Sequence, residues 1–477
     1  YNIINSRVNN YRVNKKSRGY FMFVGRKKEL NELNARFNST KKEFGVIYGR
    51  RRIGKSTLIN EFLKNKTNIF FQAKKDSMYG NLKSFSYEID KLLDLPKSFV
   101  FSSMEEAFDS LIDYAKGNRF VIVIDEYPYI VNQDPSFSSV LQEAVDRAPN
   151  NIFFLISGSD VGILKNELVD HNSPLYKRRT FEMNITKLKY SEALEYLKNV
   201  DNETKIKYLS FTSTYPYYLS AMDFNMSFED NIKRLLFNEY GTFFTLPDQL
   251  LSNSLNTQDV YNAILYAVSK RKRSNKEIAE YIHEDEAKVS KYIKTLLHLE
   301  LLDKRETYKG NKKTVYYEIG DPMLRFWFMF IFDNMEKIKL NGEFVYKNLE
   351  KNISQFICHG FEDVSRLYMD ELNSKGLLGD VFAPFKPYKV EKSILNRSIE
   401  IDGLSNNDKT LVVVECKFRK EKFTLSMLKH LEESASVFPD KYTRVYYLFS
   451  KNGFDEEIKK IQNDKYHIVE LDDMFDF

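Results

Sequence analysis

Four short runs in the first 160 residues are apolar at almost every position: FGVIYG, NIFFQA, FVIVIDE (Phe120–Glu126) and NIFFLISGS (Asn151–Ser159). Between them lie stretches of helical period such as KSTLINEFLK. Continuous apolar strands that alternate with helices predict a parallel sheet covered on both faces. Upstream, Leu30, Leu33 and Phe37 recur at helical spacing, so order is expected to begin near Phe23. The α/β region is assigned to 21–184, after a flexible tail over 1–20 rich in Asn, Arg and Lys. Helical patterns, among them SEALEYL and YPYYLSAMDF, fill 185–257 as a lid.

The period then changes. DVYNAILYAVS, SNKEIAEYI and EDEAKVSKYIKTLLHLELL predict three helices, and DKRETYKGNKKTVYYEIG predicts two strands around Lys309–Lys313. Three helices and a hairpin form a winged-helix pattern over 258–320. A helical linker is assigned to 321–343, where LRFWFMFIF contains Arg325 and is too short to span a bilayer, so a buried helix is expected. The last unit, 344–477, should contain a helix over Glu350–Leu367, a hairpin over Ile399–Phe418, a helix over Thr424–Ser436, the strand RVYYLFS, a helix and a final strand.

Composition adds little to this outline. The chain has 477 residues and is 43% hydrophobic, enough for several cores. Net charge is +5, from 72 basic and 67 acidic residues, far from a polycation. Two cysteines and no disulfide framework favour a reducing, cytoplasmic setting. Six scattered histidines suggest no zinc site, and no signal peptide or membrane span is legible.

The candidate chemistry begins at GRRRIGKST: Gly49, Arg50, Arg51, Arg52, Ile53, Gly54, Lys55, Ser56 and Thr57. It fits the phosphate-loop pattern and lies between a strand and a helix, where that pattern must lie. The glycines let successive N–H groups face a phosphate, and the helix adds its positive end. Lys55 is then placed for the β- and γ-phosphates of ATP, and Ser56 for Mg²⁺. VIVIDE ends a buried strand in Asp125, for the magnesium shell, and Glu126, for polarising the attacking water. Two acids at a buried strand end are costly unless a cation waits there. Ser157 or Ser159 could sense the nucleotide from the next strand, or simply form a turn. Arg178 and Arg179 read equally as an arginine finger, in cis or in trans, and as a surface basic pair.

Taken in order, FVGRKKEL, GRRRIGKSTLI, VIVIDEYPY, LISGS and PLYKRRT resemble the archaeal-type P-loop ATPases, close to the STAND and AAA+ branches, over residues 23–240. The resemblance implies an ATPase with a helical lid, and it places Val24, Gly25 and Arg26 near the adenine. The family's lid carries a Gly-Gly-x-Pro turn. Here the place reads Ser213-Thr214-Tyr215-Pro216, so Pro216 matches and the glycines do not.

In the third helix of the winged unit, Val289, Ile293 and Leu296 make an apolar stripe. Lys288, Ser290, Lys291 and Lys294 take other turns, where they could meet DNA phosphates. Lys270–Lys276 and the wing lysines Lys312 and Lys313 could do the same. The opposing reading is a winged helix that joins domains or binds protein.

In IEIDGLSNNDKTLVVVECKF, residues two apart share a strand face, so Glu415 and Lys417 point together and Asp402 lies opposite. Two carboxylates can hold Mg²⁺, Glu362 could add a ligand, and the lysine could orient water or steady developing charge. This D-(x)12-E-x-K arrangement resembles the PD-(D/E)XK nucleases, a unit that archaeal-type ATPases often carry after a winged helix. The implied fold is multidomain α/β: a P-loop NTPase with parallel sheet and helical lid, a winged helix-turn-helix, and a C-terminal restriction-endonuclease-like domain. The implied function is an ATPase coupled to DNA binding and to Mg²⁺-dependent DNA cleavage. The alternative is a nucleotide-gated switch or scaffold with an inert hairpin. ATP and DNA are the expected partners, a second copy or a protein partner is compatible, and no membrane is expected.

Overall fold

The computed structural model describes residues 23–476 apart from positions 40, 97–98, 116, 172, 252–257, 310–311, 394 and 396. The tail assigned to 1–20 therefore lies outside the described residues. Five strands, β1 (Glu43–Tyr48), β2 (Asn68–Gln72), β3 (Phe120–Asp125), β4 (Ile152–Gly158) and β5 (Phe181–Asn184), form a sheet in the order β2-β3-β4-β1-β5. Every neighbouring pair is parallel. Alternation explains the continuous apolar runs. Ile122 and Ile124 pack with helices Met78–Leu93, Met104–Tyr114 and Phe137–Arg147 on one face. Val121 and Val123 pack with helices Lys27–Phe37 and Lys55–Leu63 on the other. Both faces are dry, so each strand must be apolar on both sides.

Short helices follow, including Asn202–Thr212 and Phe228–Leu236. Three more come next, Gln258–Ser269, Asn275–Ile282 and Glu286–His298, and then the antiparallel strands β6 (Leu302–Lys309) and β7 (Lys312–Ile319). The chain next forms a single helical turn (Pro322–Phe326), a π-helical segment (Trp327–Ile331) and the 40-residue helix Met335–Ser374. The helix expected at Glu350–Leu367 is thus far longer, and a boundary at 343/344 falls inside it, just past a kink at Asn341 (φ −160°, ψ 87°). Among the described residues, no helix is long and apolar enough to cross a membrane.

The C-terminal strands β8 (Lys386–Lys392), β9 (Ile399–Asn406), β10 (Thr410–Lys417), β11 (Thr443–Ser450) and β12 (Tyr466–Glu470) do not form a separate sheet. β6 pairs in parallel with β8, giving one seven-stranded sheet in the order β12-β11-β10-β9-β8-β6-β7. The hairpin read as the wing of the winged unit is therefore built into the C-terminal sheet. β8 escaped the sequence reading because KPYKVEK alternates charge with a single buried apolar residue, Val390. One hydrophobic core runs from the helices after β5, through Trp327 and Phe330, to Val412, Val414 and Phe449. At Gly360 an added Cβ would stand 2.3 Å from Ser210 Cβ, so only glycine lets Met335–Ser374 lie this close to Asn202–Thr212.

Candidate functional site

The loop after β1 turns where only glycine fits. Gly49 has φ 153°, and a Cβ there would lie 2.2 Å from the Ile185 carbonyl oxygen. Gly54 has φ 96° and ends the loop at the first turn of helix Lys55–Leu63, with Pro216 lying over it. The helix N-terminus opens into a cavity of about 420 Å³, within the range that takes a drug-sized ligand. Val24, Arg26, Arg51, Arg52, Ile53, Gly54, Lys55, Ser56, Thr57 and Pro216 all line it, as does Glu126. Gly49 and Gly25 shape the turns behind the wall.

Lys55 Nζ donates to the carbonyls of Gly49 (2.8 Å) and Arg50 (3.1 Å) and to Ser159 Oγ (3.1 Å). Burial lowers its pKa to about 8, although Glu126 and Asp125 pull the other way. Ser56 Oγ donates to Asp125 Oδ2 at 2.8 Å, so the serine and the buried acid already share one corner. Ser159 donates to Glu126 through both its hydroxyl (2.7 Å) and its amide (3.2 Å). Of the two candidate serines, Ser159 reaches the cavity. Ser157 is fully buried behind it and donates to Asp125, so its assignment to the nucleotide is corrected to a prop for that carboxylate.

Three further assignments change. Arg50 turns out of the cavity and pairs with Asp321 at 2.5 Å, in a fully buried contact. Arg178 pairs with Asp146 (3.0 Å) and Arg179 with Glu182 (3.1 Å). Both arginines precede β5, whose Phe181 aligns with Gly45 near the start of β1, whereas the phosphate loop follows the end of β1. Each is held by an acid and neither lines the cavity, so neither stands as a finger in cis in this arrangement. Arg26, expected beside the adenine, donates from its guanidinium to the Ile53 carbonyl (3.1 Å) and from its main-chain amide to Glu192 (2.7 Å), bracing the loop from below.

The serine that stands in for the lid glycine keeps the glycine's conformation, with φ 48° and ψ −143° at Ser213. Such a backbone costs about 1–3 kcal/mol, and glycine in its place would cost about 0.5–1 kcal/mol of chain entropy. Ser213→Gly is therefore expected to stabilise the protein by about 1 kcal/mol. The check is a higher urea midpoint at unchanged slope.

At the C-terminal hairpin, Val414 pairs with Gly403, which sets Asp402 beside Glu415. Asp402 Oδ2 accepts the Cys416 amide at 2.8 Å, and Lys417 Nζ contacts Glu415 Oε1. Burial raises Asp402 well above the usual carboxylate range, and Glu415 and Glu362 add to it. Burial raises Glu415 as well, against the opposing pull of Lys417. Glu362, on helix Met335–Ser374, accepts from His359 at 3.4 Å. Two buried acids that resist ionising together are a donor set suited to a hard divalent cation. Among the described residues, no three His, Cys, Asp or Glu side chains converge as a metal site.

The basic residues assigned to DNA fare unevenly. Val289, Ile293 and Leu296 are buried, while Lys291 and Lys294 are exposed. Lys288 is held by Glu284 (2.9 Å), and Ser290 accepts from Asn275 (2.9 Å), which ties two helices together. Lys270 pairs with Asp333 (2.6 Å) and Arg273 with Glu318 (3.2 Å), so much of the run Lys270–Lys276 is already neutralised. Lys312 and Lys313 lie on β7, but their side chains are outside the described ones.

Comparison with known proteins decides the first half of the chain. A family described as an ATPase domain predominantly from Archaea matches residues 23–220. Residues 23–220 are an archaeal-type ATPase domain. A second family, described as archaeal and bacterial proteins of unknown function, matches 327–430. An uncharacterized protein of Methanocaldococcus jannaschii is 28% identical over 444 residues, 90% of this chain and 96% of that one. An uncharacterized ATP-binding protein of the same organism is 26% identical over 324 residues, 59% of this chain and 92% of its own length. Among solved structures, the Aeropyrum pernix ORC2 protein in its ADPNP-ADP complexes aligns with a TM-score of 0.45 and 13% identity. That alignment covers 68% of this chain and 99% of that one. The ATPase domain thus ends among the helices after β5, and the second matched region covers the long helix and the β9–β10 hairpin.

Proposed function

We propose that the chain couples ATP turnover in the archaeal-type ATPase domain to divalent-cation-dependent cleavage of DNA at the β9–β10 hairpin. One observation carries the reading: the register sets Asp402 beside Glu415, Lys417 contacts Glu415, and both acids are pushed up by burial. In the ATPase domain, Lys55 and the loop amides hold the phosphates, Ser56 and Asp125 hold Mg²⁺, and Glu126, oriented by Ser159, polarises water. At the hairpin, Asp402 and Glu415 hold a second cation, which supplies Lewis-acid stabilisation when bound. Burial favours loss of the Lys417 proton, but Glu415 and Asp402 outweigh it and raise the pKa. Lys417 therefore stays protonated and donates to the phosphate oxygen that gains charge. Exposed Lys291 and Lys294 supply sequence-independent phosphate contacts, so DNA affinity is expected to fall as salt rises.

A second reading draws on the Lys417–Glu415 contact, which satisfies both groups internally and suits a nucleotide-gated scaffold whose hairpin no longer cuts. Supercoiled plasmid incubated with the protein, ATP and Mg²⁺ or Mn²⁺ separates the two. Wild type is expected to nick or linearise it, and Lys417→Ala to lose at least about 100-fold of that rate. Equal rates for the two proteins under both metals would remove the nuclease reading and leave the scaffold.

A further inference from the structure

The Arg50 that leaves the nucleotide cavity begins a chain of ion pairs that ends at the hairpin. Its guanidinium meets Asp321 Oδ2 at 2.5 Å, its plane lies 4.8 Å over the Tyr215 ring, and Tyr218 donates to the same oxygen at 2.6 Å. Asp321 is wholly buried, and its other oxygen caps the turn Pro322–Phe326 by accepting the Leu324 amide at 2.9 Å. Arg325, on that turn, has its amide on the Asp321 carbonyl and its guanidinium 2.9 Å from Asp363. Asp363 also binds Arg366, and Arg366 donates to the main-chain carbonyl of Asp402. Against a burial that would raise it, Arg366 and Arg325 hold Asp363 well below the usual carboxylate range. The first link, Arg50–Asp321, is buried, whereas Arg325 and Asp363 at the middle link are 28% and 32% exposed.

We propose that Asp321, Arg325, Asp363 and Arg366 are positioning residues that transmit nucleotide occupancy at the P-loop to the placement of Asp402. The proposal names the regulation of the hairpin and rests on the reading of that hairpin as a functional site. The driving contact is made by Lys55. Lys55 Nζ binds the carbonyls of Gly49 and Arg50, the two peptides that set the direction of the Arg50 side chain. A nucleotide phosphate competes for that ammonium and releases both carbonyls. Arg50 Nη1 is buried without a hydrogen-bond partner, so the arginine has a donor ready for a second arrangement. Arg325 Nε is in the same condition at the next joint. Buried ion pairs with spare donors are suited to two discrete states, because a half-broken pair is costly and a re-paired one is not.

Hydrogen exchange of the intact protein, with and without a non-hydrolysable ATP analogue, tests this. In wild type the analogue is expected to change exchange of the hairpin amides over 399–418 by at least about fivefold, the lower end of allosteric coupling. Arg325→Gln opens the chain at its middle while Asp363, Arg366 and Asp402 stay together. Asp363→Asn opens it from the other side. Each variant should still saturate with the analogue and still protect the P-loop peptide, yet lose the response over 399–418. A hairpin unresponsive in wild type, or equally responsive in both variants, would overturn the proposal. The readout does not depend on DNA cleavage. A hairpin that responds but never cuts defeats the nuclease reading alone, and one that cuts without responding defeats the coupling alone.

Discussion

Lys55→Ala is expected to lower ATP turnover by about 100- to 1000-fold, the effect of removing one preorganised charge from a phosphoryl-transfer site. The size follows from the surroundings. Lys55 is buried at the start of its helix, so its charge acts in a medium that screens it little. The residue is also the pin that gathers Gly49, Arg50 and Ser159 into one loop. The variant should keep its fold, because the apolar side of the helix, Leu58, Ile59 and Phe62, is untouched. The pH dependence carries the same signature. With its pKa lowered to about 8 by burial, Lys55 binds phosphate in its charged form below that pH and loses the charge above it. Nucleotide affinity of wild type should therefore fall as pH rises through about 8, and Lys55→Ala should show no such inflection. Calorimetric titration across pH 6.5–9 is the check. Undiminished turnover in the variant would sink the phosphate assignment.

Asp402→Asn is expected to raise thermal stability at neutral pH in EDTA and to abolish the stabilisation that Mg²⁺ or Mn²⁺ brings to wild type. Burial raises the folded-state pKa of both Asp402 and Glu415, so the folded protein binds more protons than the unfolded chain just above the ordinary carboxylate range. Without metal, that part of the stability is present at low pH and is lost as pH rises toward neutrality. The amide removes the Asp402 share of that loss and leaves the Glu415 share. A divalent cation offsets the same repulsion, and at 100 times its dissociation constant it adds about 2.7 kcal/mol to wild type. Scanning calorimetry at several pH values, without nucleotide and with Asp125→Asn as background to remove the carboxylate of the ATPase-site cation, measures both effects. A variant that melts lower than wild type in EDTA, or that still gains from metal, would contradict the electrostatic account of the hairpin.

Much of this protein is legible in one dimension because its chemistry is local. The parallel sheet shows as apolar runs, since both faces of β1, β3 and β4 are buried and alternation is suppressed. The phosphate loop shows because a tight anion cradle needs glycines, a lysine and a hydroxyl at fixed spacing on one connection. Asp402, Glu415 and Lys417 show because a hairpin makes distant numbers into neighbours by a rule of two. Even the turn at Asp321-Pro322 carries the marks of a helix start, a capping acid and a proline at the first position.

What the tertiary structure alone decided is which of these local features face one another. Nothing in GRRRIGKST marks Arg50 as the residue that leaves the cavity, because its partner Asp321 lies 271 positions away and is chosen by packing. Ser157 and Ser159 would share a strand face, but Ser157 lies within β4 and Ser159 just past its end, so one meets Asp125 and the other the nucleotide cavity. Arg178 and Arg179 follow from the direction of β5, which returns the chain to the far end of the sheet. The union of β6–β7 with β8 arises from backbone hydrogen bonds that carry no side-chain signature. Spacing along a chain encodes contacts within a turn, a helix or a hairpin. Contacts between units are set by the fit of whole surfaces, and it is these contacts that join the ATPase domain to the hairpin.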